Sequence, residues 1–396
     1  MHFTPSLLDL QFVLLLCGLG FVRAIWPAQH YVVLGALGSA LLIGFASPKT
    51  LVVISAITVC YLYPLHRLMR VAQGRQWPKA VQRLLLLTGI GGLIAFLLLF
   101  KVYRHFTVPW LGSPWLRADI LALIGFSYFI FRAINFLYIQ SIAPIDEKYP
   151  WGILYYTLFP PTLTSGPIQR YQDFKRQLTN PAPISGALLR AAGYRITRGY
   201  FRKIVVAFLL NEAVLTMLAG EITFVNSVMI IVLFYLYFYY DFAGYSDIAI
   251  GYGLLMGITV PENFKKPFLA TTVSEFWRNW HITLADWFRD HIFIPLGGMQ
   301  GTKLRAAILA FVIMILCGFW HGLSLCLFIW GVWHGTLLAT EAVLGTKPIP
   351  PALRHGPKYW FRVLWTNARV ALPCILFLPD PQILQVLRGL WSLRIV

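Results

Sequence analysis

Two histidines set among tryptophans are the residues of this chain best suited to chemistry. One closes the run Glu275-Phe276-Trp277-Arg278-Asn279-Trp280-His281, and the other lies in Gly318-Phe319-Trp320-His321-Gly322. An imidazole titrates near working pH, so it can take the proton of a hydroxyl as that oxygen attacks. It is costly in hydrocarbon, which makes a histidine flanked by apolar runs a functional-site candidate by default. Two of them on separate segments suggest proton transfer at membrane depth. His321 follows an apolar segment that starts near Arg305, which puts it about 24 Å along a continuous helix. That is most of the way across a hydrocarbon core of roughly 30 Å. Gly318 and Gly322 bracket it and permit close backbone approach or a helix break. The competing expectation is a structural histidine bonded to a neighbouring helix. His334, in Val332-Trp333-His334-Gly335, partly repeats the motif. Its offset from His321 is about 220° and 20 Å on one helix. It shares a site with His321 only if the chain breaks over 322–326, and a structural role is expected for it.

Buried charge is the second candidate. Arg132, in Phe131-Arg132-Ala133-Ile134-Asn135, is a cation inside an apolar span and needs a carboxylate or carbonyl partner. Asp241 and Asp247 are the carboxylates proposed for it. A structural ion pair is the expectation, and substrate anchoring the alternative. Arg289 and Asp290 are read as structural charges too. His30, His66, His291 and His355 lie in or near polar segments and are expected to be solvated. There is no Walker-type glycine loop, dinucleotide fingerprint, HExxH pair or nucleophile-elbow serine, and no metal site is expected.

The elements that position these residues must be membrane helices. The chain is 58% hydrophobic and 12% charged, with mean hydropathy +0.67, where a soluble domain carries about 25% charged residues. The expected fold is all-α and polytopic, with about ten spans plus re-entrant and interfacial amphipathic helices. The spans are placed at 8–26, 31–47, 51–65, 84–100, 119–139, 204–219, 224–241, 305–319, 324–344 and 360–378. The first has no cleavage-site pattern and is expected to be a retained helix. The net charge of +18 reads as topology: basic residues collect in cytoplasmic loops. The loops holding Arg67 to Arg83 and Lys175 to Lys203 are placed there, with the N-terminus outside. A basic inner face would attract an acidic protein partner or anionic lipid. No nucleic-acid-binding motif is present. The five cysteines (Cys17, Cys60, Cys317, Cys326 and Cys374) lie in apolar segments and read as small core residues.

Three stretches follow: N-terminal spans over 1–140, a core over 141–345, and a C-terminal loop and last span over 346–396. Leu158 to Pro167 is too proline-rich for a regular helix. Asp241-Phe242-Ala243-Gly244-Tyr245-Ser246-Asp247 is expected to be irregular as well. Irregular backbone at membrane depth lines cavities, so an interior tunnel is expected. Residues 272–294 read as one amphipathic helix at the cytoplasmic interface. Glu275, Arg278, Asn279, Asp286, Arg289 and Asp290 fall on an outward arc of about 120°, with Trp277, Trp280 and Trp287 inward. His281 sits at the edge of the apolar arc, and Ile282 interrupts the polar face, as a bend or a docking point would.

Together these residues resemble the membrane-bound O-acyltransferase (MBOAT) family, in its bacterial cell-envelope branch. Four ordered blocks carry the resemblance: Leu163 to Arg170, Tyr240 to Ser246, Glu275 to Asp290, and Gly318 to Gly322. The resemblance implies a funnel open to the outside and a tunnel reaching the cytoplasmic face. Ser165, Gly166, Pro167, Asp241, Gly244, Tyr245, Trp277, Trp280 and Trp320 would line the tunnel. It implies His321 as catalytic base, His281 as its companion, and no bound cofactor. The acyl donor would be a thioester, on the phosphopantetheine of an acidic carrier protein or as acetyl-CoA. The acceptor would be an extracytoplasmic polymer hydroxyl, reached with a periplasmic or extracellular partner protein. Thr164-Ser165-Gly166-Pro167-Ile168 and Arg170 look like the D-alanyl transfer proteins of teichoic acids. Ser246-Asp247 and Arg289 to Gly298 look more like alginate-type O-acetyltransferases. D-alanyl transfer is slightly favoured, and a transporter or flippase of an envelope precursor is the reading from another class.

Overall fold

The computed structural model describes Gly18 and residues 28–105, 125–147, 149–179, 183–298 and 300–391. These are helices and loops, with a lone antiparallel bridge between Phe264 and Trp280. This is the all-α membrane fold expected. Five helical stretches among the described residues are long and apolar enough to cross a bilayer: Pro48–Gly74, Lys79–Val102, Phe224–Leu255, Lys303–His321 and Leu325–Leu344. The expected count of about ten is not reached among them. The span at 8–26 apart from Gly18, the start of that at 119–139, Cys17 and the side chain of His30 lie outside the described residues. The segment expected at 360–378 is a helix, Gly356–Ala371, followed by a 3-10 stretch, Leu372–Phe377. Pro373 withdraws a backbone N–H there, so the α-helical ladder does not continue. The segment at 204–219 begins in a π-helical turn, Phe201–Ala207.

The chain forms two compact units: Met1–Thr197 with Asp247–Pro261, and Arg198–Ser246 with Glu262–Val396. In the first, Phe126–Ile142 buries most of its length, including Arg132. The guanidinium donates to the carbonyls of Tyr156 at 2.8 Å and Thr157 at 2.7 Å, and to Thr162 Oγ1 at 3.1 Å. The expected carboxylate partners are therefore replaced by carbonyls. The reason is the helix Trp151–Thr157, which ends just before Pro160 and Pro161. Prolines supply no N–H, so the last carbonyls of that helix need an outside donor. A guanidinium offers five N–H groups in a fixed fork. Asp247 pairs instead with Arg195 at 2.5 Å. Arg132→Met should therefore destabilise the protein by about 3 kcal/mol, since it leaves buried carbonyls without donors. Arg132→Lys should recover part of that. Melting temperatures of the detergent-purified variants check this, and an unchanged value for Arg132→Met would remove the anchoring role.

His66 corrects an expectation. It is fully buried, with Nδ1 3.1 Å from Gln140 Oε1. Arg67, its sequence neighbour, points about 100° away on the same helix, so polar surroundings in sequence said little about its face. His355 is exposed as expected, whereas His291 is half-buried and stacks on Trp287 at 4.6 Å.

In the second unit, Ile230, Phe234, Tyr235, Val273, Phe276, Val370, Ile375 and Val386 form one apolar core. The stretch from Asp241 onward is not irregular: Phe224–Leu255 is one unbroken helix. Its polar groups are neutralised in place rather than breaking the ladder. Lys203 Nζ meets Asp241 at 2.5 Å. A Cβ on Gly244 would stand 2.8 Å from Gly199 O and 2.9 Å from Lys203 N. This glycine therefore serves close helix packing, not an opening.

Lys303–His321 and Leu325–Leu344 form a tight antiparallel hairpin. Gly322 caps the first helix, and Ser324 Oγ accepts from Leu327 N at 3.2 Å to start the second. The chain thus breaks within 322–326, the condition under which His321 and His334 can share surroundings.

Candidate functional site

The expected helix over 272–294 is broken at His281. Val273–Asn279 and Ile282–Phe288 are separate helices, and a π-helical turn, Arg289–Phe293, follows. His281 itself adopts φ 45°, ψ 51°, a left-handed conformation uncommon for a non-glycine residue. The cause is an antiparallel pairing that competes with the helix. Lys265 N donates to Asn279 O at 3.0 Å, and Ile282 N donates to Asn263 O at 2.9 Å. Strain of this kind, on the order of 1–3 kcal/mol, persists where surroundings over-determine it.

Those surroundings are Asn263. Its Oδ1 accepts from Thr283 N at 3.3 Å and Thr283 Oγ1 at 2.9 Å, and its Nδ2 donates to Ser246 Oγ at 3.2 Å. The backbone N–H of Thr283 is always a donor, which fixes the amide with oxygen on this side. His281 Nδ1, 3.0 Å from the same Oδ1, must then carry the proton. Nε2 is left as the ring's basic nitrogen. The imidazole is 5% exposed and meets Phe242 edge-on at 4.6 Å. Burial lowers its pKa to about 3, with His321 adding to the shift. At neutral pH His281 is an uncharged imidazole of fixed tautomer.

Trp320 borders both histidines. Its ring lies 6.4 Å from that of His281 and 4.6 Å from that of His321. His321 is the last residue of Lys303–His321 and is exposed at the hairpin turn. It is not enclosed, as a position deep within a continuous helix had suggested. Its ring meets Trp330 at 5.4 Å and Phe377 at 5.1 Å, both edge-on. Trp330 in turn meets His334 at 4.7 Å. His334 is fully buried, and its Nδ1 has no hydrogen-bond partner. Trp277 lies 5.0 Å from His334, and its Nε1 is also buried without a partner. Three imidazoles and three indoles thus gather in the second unit.

The other expected tunnel residues divide. Trp280 is packed into an aromatic stack, 5.3 Å from Phe276 and 6.2 Å from Tyr235. Tyr245 is buried in the helix Phe224–Leu255. Ser165, Gly166 and Pro167 belong to the first unit. A Cβ on Gly166 would meet Thr162 Cα at 2.6 Å, so this glycine closes a turn against backbone. Glu275, expected on the outward arc, is buried. It accepts from Thr271 N at 2.8 Å and pairs with Arg354 at 2.5 Å. Arg278 and Arg289 are the exposed residues of that arc. Arg289 bonds Asp286 at 2.6 Å and Asp290 at 2.9 Å, surface pairs worth about 0–1 kcal/mol. Among the described residues no group of three His, Cys, Asp or Glu is placed to hold a metal ion.

Asn263, Trp330 and Phe377 escaped the sequence reading. Asn263 lies in a polar loop 18 residues before His281, a separation no local periodicity connects.

A model of the MBOAT, membrane-bound O-acyltransferase family, matches residues 148–378, more than half of the chain. The chain belongs to this family. The matched stretch holds Asn263, His281, His321, His334 and Phe377, while Arg132 lies before it. Among MBOAT relatives, the chain is 34% identical to the probable alginate O-acetylase AlgI of Pseudomonas putida over 71% of its length and 59% of that protein's. It is 29% identical to the teichoic acid D-alanyltransferase of Bacillus subtilis over 63% of its length and 66% of that protein's. It is 28% identical to the peptidoglycan O-acetyltransferase of Helicobacter pylori over 67% of its length and 56% of that protein's. The chain thus spans between about half and two thirds of these curated relatives.

Proposed function

We propose that this protein is a multi-pass membrane O-acyltransferase that moves a short acyl group from a thioester donor to a hydroxyl of a cell-envelope polymer. The observation that carries the reading is the cluster in which His281 and His321 border one indole. His321, open at the hairpin turn, takes the acceptor hydroxyl's proton as its oxygen attacks the thioester carbonyl. The C–S bond breaks, and the thiolate leaves with the proton returned from the imidazole. His281, neutral and fixed in tautomer by Asn263, holds a donor or acceptor group beside the reacting carbonyl.

The acyl group is acetyl or D-alanyl. Thr164 to Arg170 supports D-alanyl transfer; Ser246-Asp247, Arg289 to Gly298 and the higher identity to alginate O-acetylases support acetyl transfer. The donor comes from the cytoplasm, an acidic carrier protein or acetyl-CoA, and the acceptor from outside, with the N-terminus on the outer side. Basic loops on the inner face would steer such a donor, and added salt should weaken its capture, because screening acts over about 8–10 Å. Sealed vesicles of known orientation test this, with labelled donor supplied to one side. Label should reach acceptor only when donor is on the cytoplasmic side. Equal transfer from either side would sink the across-membrane arrangement. The identity of the transferred label, acetyl or D-alanyl, decides the subtype.

A further inference from the structure

The first unit holds a cavity of about 260 Å³ where the turn between Tyr63–Gly74 and Lys79–His105 meets the end of Phe126–Ile142. It lies, in sequence, before the stretch that the family model matches. Its lining is graded. Gln73, Lys79 and Ser141 stand at the ends of their helices, and Gln82 and Arg83 about one turn in. Met69, Leu85 and Leu86 lie deeper, about 8–10 Å from the helix ends. One end of the cavity is therefore charged and polar, and the other is apolar.

The walls are fixed by bonds of their own. Trp77 N donates to Ala72 O at 2.8 Å, and Gln76 takes the left-handed φ of 49° that this helix stop requires. Gln82 Nε2 donates to Trp77 O at 2.8 Å. Gln73 and Gln140 are clamped together by two bonds of 2.8 Å, Gln73 Nε2 to Gln140 O and Gln140 Nε2 to Gln73 Oε1. The cations are not so committed. Elsewhere in this unit Arg70 pairs with Asp146 at 2.7 Å and Lys175 with Glu147 at 2.9 Å. Lys79 and Arg83 have no carboxylate partner among the described residues, and the sequence from Leu10 to Ala118 contains no Asp or Glu. The two are four residues apart, on one face of their helix and about 6 Å along its axis. Leu87, exposed, continues that face one turn farther.

We propose that this cavity is a binding site for the headgroup of an anionic phospholipid. The phosphate sits between Lys79 and Arg83, and the first methylenes lie against Leu85, Leu86 and Leu87. Basic pockets between membrane helices on the inner side suit such headgroups, and a turn as basic as this belongs on that side. The chemistry also selects among headgroups. Gln82 Oε1 and Ser141 Oγ can accept from headgroup hydroxyls, whereas no carboxylate lines the cavity to pair with an ammonium. A phosphoglycerol headgroup fits both conditions; phosphoethanolamine and phosphocholine do not.

The test is native mass spectrometry of the delipidated full chain, titrated with phosphatidylglycerol, phosphatidylethanolamine or phosphatidylcholine of matched acyl chains. One phosphatidylglycerol should be retained at least tenfold more tightly than either zwitterionic lipid. The preference should vanish in the Lys79→Gln, Arg83→Gln double variant and persist in Arg75→Gln, which removes a turn cation that does not line the cavity. Ser141→Leu fills the cavity with every cation in place. Its hydroxyl bonds only its own helix here, at Tyr138 O, and this variant too should lose the lipid. Melting temperatures in detergent confirm that all variants fold. Equal retention of the three lipids overturns the proposal. So does a loss in Arg75→Gln as complete as in the double variant, which is what diffuse surface charge would give. Undiminished retention by Ser141→Leu places the lipid outside the cavity. Displacement of the bound lipid by millimolar glycerol 3-phosphate would assign the site to a soluble phosphate ester and overturn the lipid as its occupant.

Discussion

His321→Ala should abolish acyl transfer in a protein that still inserts and folds. The side chain ends its helix and is exposed, so its removal creates little cavity. Its ring neighbours Trp330 and Phe377 keep their own contact without it, at 5.6 Å. Loss of a general base costs about 10²–10⁴-fold in rate, far more than such a stability change would produce. His321→Gln preserves size and a hydrogen-bonding tip but not a basic nitrogen, and should be as inactive. His281→Ala should behave differently. It empties a buried position and removes one donor from Asn263 Oδ1, which keeps its two bonds from Thr283. Both stability and rate should fall there. Transfer is read with labelled donor in membranes, and expression and melting temperature on the purified variants. A well-expressed His321→Ala protein with near-wild-type transfer would take His321 out of the mechanism.

What the sequence disclosed was decided by range. Apolar runs and the glycines around His321 are local features, and they foretold the hairpin and its break. Pairing across many residues was not visible. Glu275 seemed to face outward because periodicity counts only its own helix, yet Arg354, 79 residues later, draws it inward. Asp241 and Asp247 seemed to demand irregular backbone. Lys203 and Arg195, 38 and 52 residues earlier, neutralise them and let the helix run on. The break at His281 likewise depends on Asn263. Ile282 offered a bend as one of two readings, a docking point being the other, but the partner imposing the bend was not visible. Arg132 fared better in kind than in detail: its burial followed from the apolar span, while its carbonyl partners depend on where the Trp151–Thr157 helix stops.

Gly331→Leu should cost both stability and activity, although it removes no reactive group. Gly331 and Gly335 stand four apart on one face of Leu325–Leu344, the small-residue spacing that lets membrane helices approach closely. A Cβ on Gly331 would lie 2.7 Å from Met314 O and 3.0 Å from Ile315 Cα, and one on Gly335 would lie 3.0 Å from Phe311 O. Gly318 faces Leu327 O across the same seam. The atoms in the way are backbone, which cannot swing aside as a side chain would. The helices must separate, at a cost of about 1–3 kcal/mol or more for overpacking. Trp330 adjoins Gly331 and touches both His321 and His334, so separation moves the cluster's central ring. A displacement near 1 Å can cost about 10²-fold in rate. Gly91 is the control: it is exposed, and nothing lies within 4 Å of its missing Cβ. Gly91→Leu should stay within about 0.5 kcal/mol of wild type, while Gly331→Ala should fall between control and Gly331→Leu. If Gly331→Leu melts and transfers like Gly91→Leu, the hairpin seam does not hold the histidines in place.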